Sequence, residues 1–123
     1  MLADLPVLLP TLTLALMLTA SAHATEPEAW PVAGQQGLVR YVIVPTALAR
    51  DEAAYARQLA LLCEPERTCF VNFYTNSAGA TVSMPLPDAI AHEPTAVFRQ
   101  SVKRGAATLR WSCRLQIATE TCF

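Results

Sequence analysis

Hydrophobic and polar positions along the chain fall into a few clear patterns. Leu38 to Val44 is rich in β-branched and aromatic residues and is bounded by Gly37 and Pro45; it predicts a strand buried on both faces. Residues 47–63 carry Tyr55, Leu59 and Leu62 at helical spacing, with Ala56, Ala60 and Cys63 flanking them. That stripe predicts a core-facing helix. Asp51 and Glu52 favour its first turn through the helix dipole, and Pro65 stops it. Cys69 to Thr75 alternates, with Cys69, Val71 and Phe73 on one face of a strand. Asn76-Ser77-Ala78-Gly79 is a turn signal, after which Ala80 to Met84 is expected to return as a short strand. Pro85 and Pro87 end it. Asp88 is placed as the N-cap of a short helical turn that finishes before Pro94.

The C-terminal third gives the cleanest alternation. Leu109, Trp111, Cys113 and Leu115 alternate with Thr108, Arg110, Ser112 and Arg114, which predicts one buried and one wet face. The run Ala96 to Val102 is expected to pair with it across the loop Lys103-Arg104-Gly105-Ala106. Such a loop sets Val102 opposite Ala107, Phe98 opposite Trp111 and Ala96 opposite Cys113. It also sets Arg99 opposite Arg110 on the wet face, a like-charge pair that is mildly destabilising. The expected fold class is therefore α+β. A small, mainly antiparallel sheet of about five strands has one principal helix packed on one face, and two disulfides hold it.

The first residues have a different character. No charge occurs from Leu5 to Ala22, and the run Leu12 to Leu18 has the size of a signal-peptide apolar core. Ser21-Ala22-His23-Ala24 fits small-x-small cleavage. Residues 1–24 are thus expected to be a secretory signal peptide, with Thr25 the first mature residue. Pro6 and Pro10 break the first half of the apolar stretch, so a stable membrane anchor after cleavage is not expected. The segment before Pro6 carries only Asp4 where a positive charge is usual. No cysteine lies near the cleavage site, which argues against a lipid anchor. Residues 25–37, with prolines, glycines and glutamines but no period, predict a flexible lead-in. Residues 38–123 make one domain.

Cleavage removes one acid, Asp4, and none of the nine basic residues, so the mature chain is formally neutral. Neutrality gives no support to wholesale binding of nucleic acid. The four cysteines, Cys63, Cys69, Cys113 and Cys122, all lie in the mature part. An even count in a short exported chain implies two disulfides and an oxidising compartment such as the periplasm. Three connectivities exist. Local pairing, Cys63 with Cys69 and Cys113 with Cys122, is simplest to make during export and is the one expected. The gaps between these cysteines do not fit zinc ligand spacing, no histidine is near them, and no Cys-x-x-Cys occurs. No metal and no cofactor are expected.

Charge is distributed unevenly along the mature chain. Between Glu93 and Glu120 there is no acid, yet Arg99, Lys103, Arg104, Arg110 and Arg114 are present. These five form the candidate binding residues, because an arginine's planar fork grips a carboxylate or phosphate with two bonds. Asp88, His92 and Glu93 could imitate an acid–base group, but no nucleophile in a strained elbow accompanies them, and an enzyme is not the expected class. Three functions follow in order. The first is an exported, non-enzymatic domain binding a protein partner in the cell envelope, in an inhibitor or immunity-type role. The second is a module for a small anionic ligand or envelope polymer. The third is an enzyme whose site the sequence does not display.

Overall fold

The computed structural model describes residues 28–123, together with Ala3, Pro6 and Ala15. The expected signal peptide otherwise lies outside the described residues, as do the first residues of the expected lead-in. Among the described residues no helix is long and apolar enough to cross a membrane.

Five strands form one sheet in the order of the chain: β1 (Val32–Gln36), β2 (Val39–Val44), β3 (Cys69–Thr75), β4 (Pro94–Ser101) and β5 (Ala106–Trp111). β2 and β3 are parallel and the other three pairings are antiparallel. A parallel pair needs a crossover, and the helix α1 (Glu52–Leu62) supplies it. A single turn of helix, α2 (Asp88–Ala91), precedes β4. The α+β class, the five strands, the one main helix and both disulfides agree with the sequence. The parallel β2–β3 pair makes the sheet mixed.

The core lies between α1 and one face of the sheet. Alternation puts Val42, Val44, Val71, Phe73, Ala96 and Trp111 on that face, all buried. Tyr55 from α1 is wholly buried at the centre, with Trp30, Phe73 and Trp111 edge-on around it at 5.2, 4.9 and 4.6 Å between ring centroids. Its hydroxyl lies 2.8 Å from both Ala49 O and Thr95 Oγ1. A carbonyl only accepts, so Tyr55 donates to Ala49 and the Thr95 hydroxyl donates to Tyr55.

Several expectations are corrected. The stretch expected to be one helix from residue 47 is a 3-10 turn at Thr46–Leu48 followed by α1. Asp51 keeps an extended backbone and accepts from Ala54 N at 3.1 Å, so it caps the helix rather than entering it. Within the helix Ala56 and Ala60 are exposed, and the buried positions are Ala54, Tyr55 and Gln58. Ala80–Met84 is not a strand. β3 already has β2 on one edge and β4 on the other, so no edge is left for a returning hairpin. The fifth strand comes instead from residues 32–36, inside the expected lead-in. Of the β2 residues, only Val42, Ile43 and Val44 are buried.

The terminal hairpin has a four-residue loop, but it spans residues 102–105. It closes on Gly105, whose φ is +60°, and pairs Ser101 with Ala106. Glycine takes this left-handed position without penalty, so the turn starts one residue earlier than expected. The pairing consequently slides by two: Trp111 faces Ala96, Leu109 faces Phe98 and Thr108 faces Arg99. A slip of two leaves every side chain on its face, but it removes the Arg99–Arg110 pair. The alternation also stops at Trp111. Cys113–Leu115 is a 3-10 turn that drops Leu115 into the core.

Cys63 is bonded to Cys69 and Cys113 to Cys122, with Cα separations of 5.7 and 5.0 Å. The first closes the passage from α1 to β3. The second folds the tail against the end of β5, where Phe123 N donates to Trp111 O at 3.0 Å.

Candidate functional site

The face of the sheet away from α1 holds the alternate residues. By register these are Val39, Tyr41 and Ile43 on β2, Phe70, Asn72 and Tyr74 on β3, Val97 and Arg99 on β4, and Thr108 and Arg110 on β5. One end of this face is near the segment after β3. α2 packs on β3 and carries the wholly buried Ile90. Met84 lies so close to Gly34 of β1 that any Cβ there would collide with its side chain. Ile43 is buried, and the other residues of the face are half-buried or exposed.

Arg99 stands opposite Phe70, its guanidinium carbon 5.4 Å from the ring centroid. Nη1 donates to Phe98 O at 2.8 Å and to Val71 O at 3.4 Å. Desolvation lowers the pKa of this guanidinium from its ordinary value, and Tyr74 and Tyr41 act in the opposite direction; the side chain stays cationic. Arg104 joins it at a surface depression lined by Phe70, Arg99, Ser101, Arg104, Ala106 and Thr108. Arg110 lies on the same face beside Val97, with its guanidinium 5.9 Å from the Phe123 ring. Arg99 and Arg110 are diagonal neighbours rather than direct opposites, a separation of about 7–8 Å between backbones. Lys103 is exposed in the loop of the same hairpin.

Arg114 is placed elsewhere. It donates to Glu93 O at 3.0 Å and to Thr75 Oγ1 at 3.4 Å, beyond the end of the sheet. There the Glu93 carboxylate accepts from Ser77 Oγ at 2.6 Å, Ser77 N at 2.9 Å and Thr75 Oγ1 at 3.1 Å. The hydrogen bond from the Ser77 hydroxyl is the largest cause holding Glu93 below its ordinary pKa. Glu93 is thus engaged as a tie for the turn at residues 76–79, while Asp88 and His92 are both exposed. Among the described residues no three His, Cys, Asp or Glu side chains gather as a metal set. The one ion pair among them is Glu64 with Arg67 at 3.1 Å, both well exposed. No carboxylate of the described residues therefore pairs with Arg99, Lys103, Arg104 or Arg110.

Four side chains that the sequence reading did not single out complete the face. Tyr41 and Tyr74 lie 5.8 Å apart between ring centroids, and the Tyr41 hydroxyl is 3.0 Å from Gln36 Oε1. Burial raises the Tyr74 pKa. Asn72 is the register partner of Tyr41 and lies two residues before Tyr74; its Nδ2 is 3.5 Å from the Tyr74 hydroxyl, and its Oδ1 is buried with no partner among the described residues. Phe70 is the fourth. The signal for them was present: if Cys69, Val71 and Phe73 face the core, then Phe70, Asn72 and Tyr74 share the opposite face.

No protein family, curated protein or solved structure matches this chain.

Proposed function

We propose that the chain is an exported, non-enzymatic envelope domain whose outer sheet face binds a protein partner through an acidic segment. The observation that carries this reading is Arg99. Its guanidinium is held over Phe70 by backbone carbonyls, on an open face shared with Arg110 and Arg104, and no carboxylate of the described residues meets it. A cation kept in place and left without a counter-charge suits a bond completed by another molecule. Half-buried aromatic rings beside it, Phe70, Tyr41 and Tyr74, supply the contact area that protein interfaces favour. The two disulfides fit an oxidising, exported setting.

Titration of the oxidised chain with an acidic peptide, at low and high salt, tests the reading. Affinity should fall as salt rises and should drop by about 1–3 kcal/mol in Arg99→Ala. Thermal stability of that variant should change little, since the cation–π contact on this open face is worth only about 0.5–1 kcal/mol. Binding that survives Arg99→Ala and Arg104→Ala together would rule the face out. The depression between Phe70, Arg99 and Arg104 favours a second reading, a small anionic ligand or an anionic envelope polymer. Phosphate binding that disappears in Arg99→Ala, without binding of the acidic peptide, would favour it.

A further inference from the structure

The two edges of the sheet differ. β1 is irregular between Val32 and Gly34, and Met84 lies against it at Gly34; such features blunt an edge against further pairing. β5 has no bulge and no proline from Ala106 to Trp111. Its far end already pairs outward at a single residue. The stapled tail makes a parallel bridge between Trp111 and Cys122, and Cys113 N donates to Phe123 O at 2.9 Å.

The backbone directions along β5 follow from three bonds. Ser112 N donates inward to Thr95 O at 2.8 Å, while Trp111 O and Cys113 N both turn outward to Phe123. In an antiparallel ladder neighbouring residues alternate in this respect. Ala106, Thr108 and Arg110 therefore bond β4, and the N–H and C=O groups of Ala107 and Leu109 point off the edge. No backbone bond from a loop or the tail among the described residues reaches them.

We propose that an extended acidic segment of a partner protein adds to β5 as a sixth strand, bonding Ala107 and Leu109 and setting its carboxylates beside Arg110. The inference rests on the outer face being the protein-docking surface, and it names the mode of docking. Residues of the added strand beside Thr108 and Arg110 project onto the outer face, where Arg110 and Arg104 stand and Arg99 lies one strand in. Those positions call for Glu or Asp. The alternate residues project to the helix side near Ala107 and Leu109, and they call for small or apolar side chains. Charge also disfavours a second copy of this chain as occupant. β5 paired with itself would gather Lys103, Arg104 and Arg110 of both copies along one rim, with no carboxylate of the described hairpins among them.

The test uses the full oxidised chain and a capped peptide of alternating Glu and Val. On addition of the peptide, amide hydrogen exchange at Ala107 and Leu109 should slow at least tenfold. N-methylation of the peptide amides that face β5 should abolish binding, while N-methylation of the other alternate set should leave it intact. Ala107→Pro removes an outward N–H and spares the ladder, so it should weaken binding at least tenfold with little change in thermal midpoint. Equal binding by both N-methylated peptides overturns strand addition. If Arg99→Ala still weakens binding in that case, the outer-face reading stands; if neither salt nor Arg99→Ala matters, that reading falls too. Concentration-dependent protection of the same amides without peptide would assign the edge to a second copy and overturn the acidic partner.

Discussion

Tyr55 joins three parts of the molecule at a single hydroxyl. Its ring is packed edge-on by Trp30, Phe73 and Trp111, and its oxygen links Ala49 to Thr95 of β4. Burial is the largest cause pushing its pKa up to about 12, against an ordinary value of 10.0. A phenol whose folded pKa is raised stabilises the fold fully below the unfolded value, and that contribution is lost as pH rises through the folded value. Thermal unfolding followed from pH 8 to 12 should therefore show stability holding to about pH 10 and declining above it. Tyr55→Phe should be less stable by about 1–3 kcal/mol at neutral pH, because Ala49 O and Thr95 Oγ1 lose their partner. The decline above pH 10 should also become shallower, the remainder belonging in part to Tyr74, which is raised as well.

The elements are held in place by particular polar contacts. Gln58 is buried on α1; its Oε1 accepts from Trp30 N at 2.9 Å and its Nε2 donates to Glu28 O at 2.7 Å. This one amide fastens the segment before β1 to the helix. Gln58→Ala should cost about 1–3 kcal/mol for the stranded backbone groups, and Trp30 fluorescence should shift to the red as the ring leaves the core. Glutamine on a helix reads in sequence as a solvated residue, and Gln58 is not part of the apolar stripe Tyr55–Leu59–Leu62. Gly105 governs the hairpin in a similar way. Gly105→Ala should cost about 1–2 kcal/mol from the left-handed conformation alone. Nuclear Overhauser contacts should place Trp111 beside Ala96, and contacts placing it beside Phe98 would refute the register.

For the whole molecule, the disulfides close local loops at opposite ends of the β-structure and leave its long-range pairings to packing. Reduction should lower stability by about 2–3 kcal/mol for each bridge in the chain-entropy account. Peptide mapping of the oxidised chain should link Cys63 to Cys69 and Cys113 to Cys122, and a Cys69–Cys113 link would refute this connectivity. Replacing Cys113 and Cys122 by serine should free the tail and speed exchange at Phe123, while the amides of β3, central in the sheet, keep their protection. Alternation and helical spacing were sufficient for β3 from Cys69 to Thr75, for a helix carrying Tyr55 and for the class of the fold, and the short separations within each cysteine pair for local pairing. These depend on neighbours within a few residues, and the chain carries that information in its period. Tertiary structure alone decided which segment became the fifth strand, since only the filled edges of β3 exclude Ala80–Met84 and only the β2 edge admits residues 32–36. It also decided the hairpin register, because two pairings that differ by two residues bury the same side chains, and the left-handed turn at Gly105 selects between them. The candidate face was half legible. Its arginines stood out in a stretch without acids, but Phe70, Tyr41, Asn72 and Tyr74 join them only when β2, β3 and β4 are laid side by side.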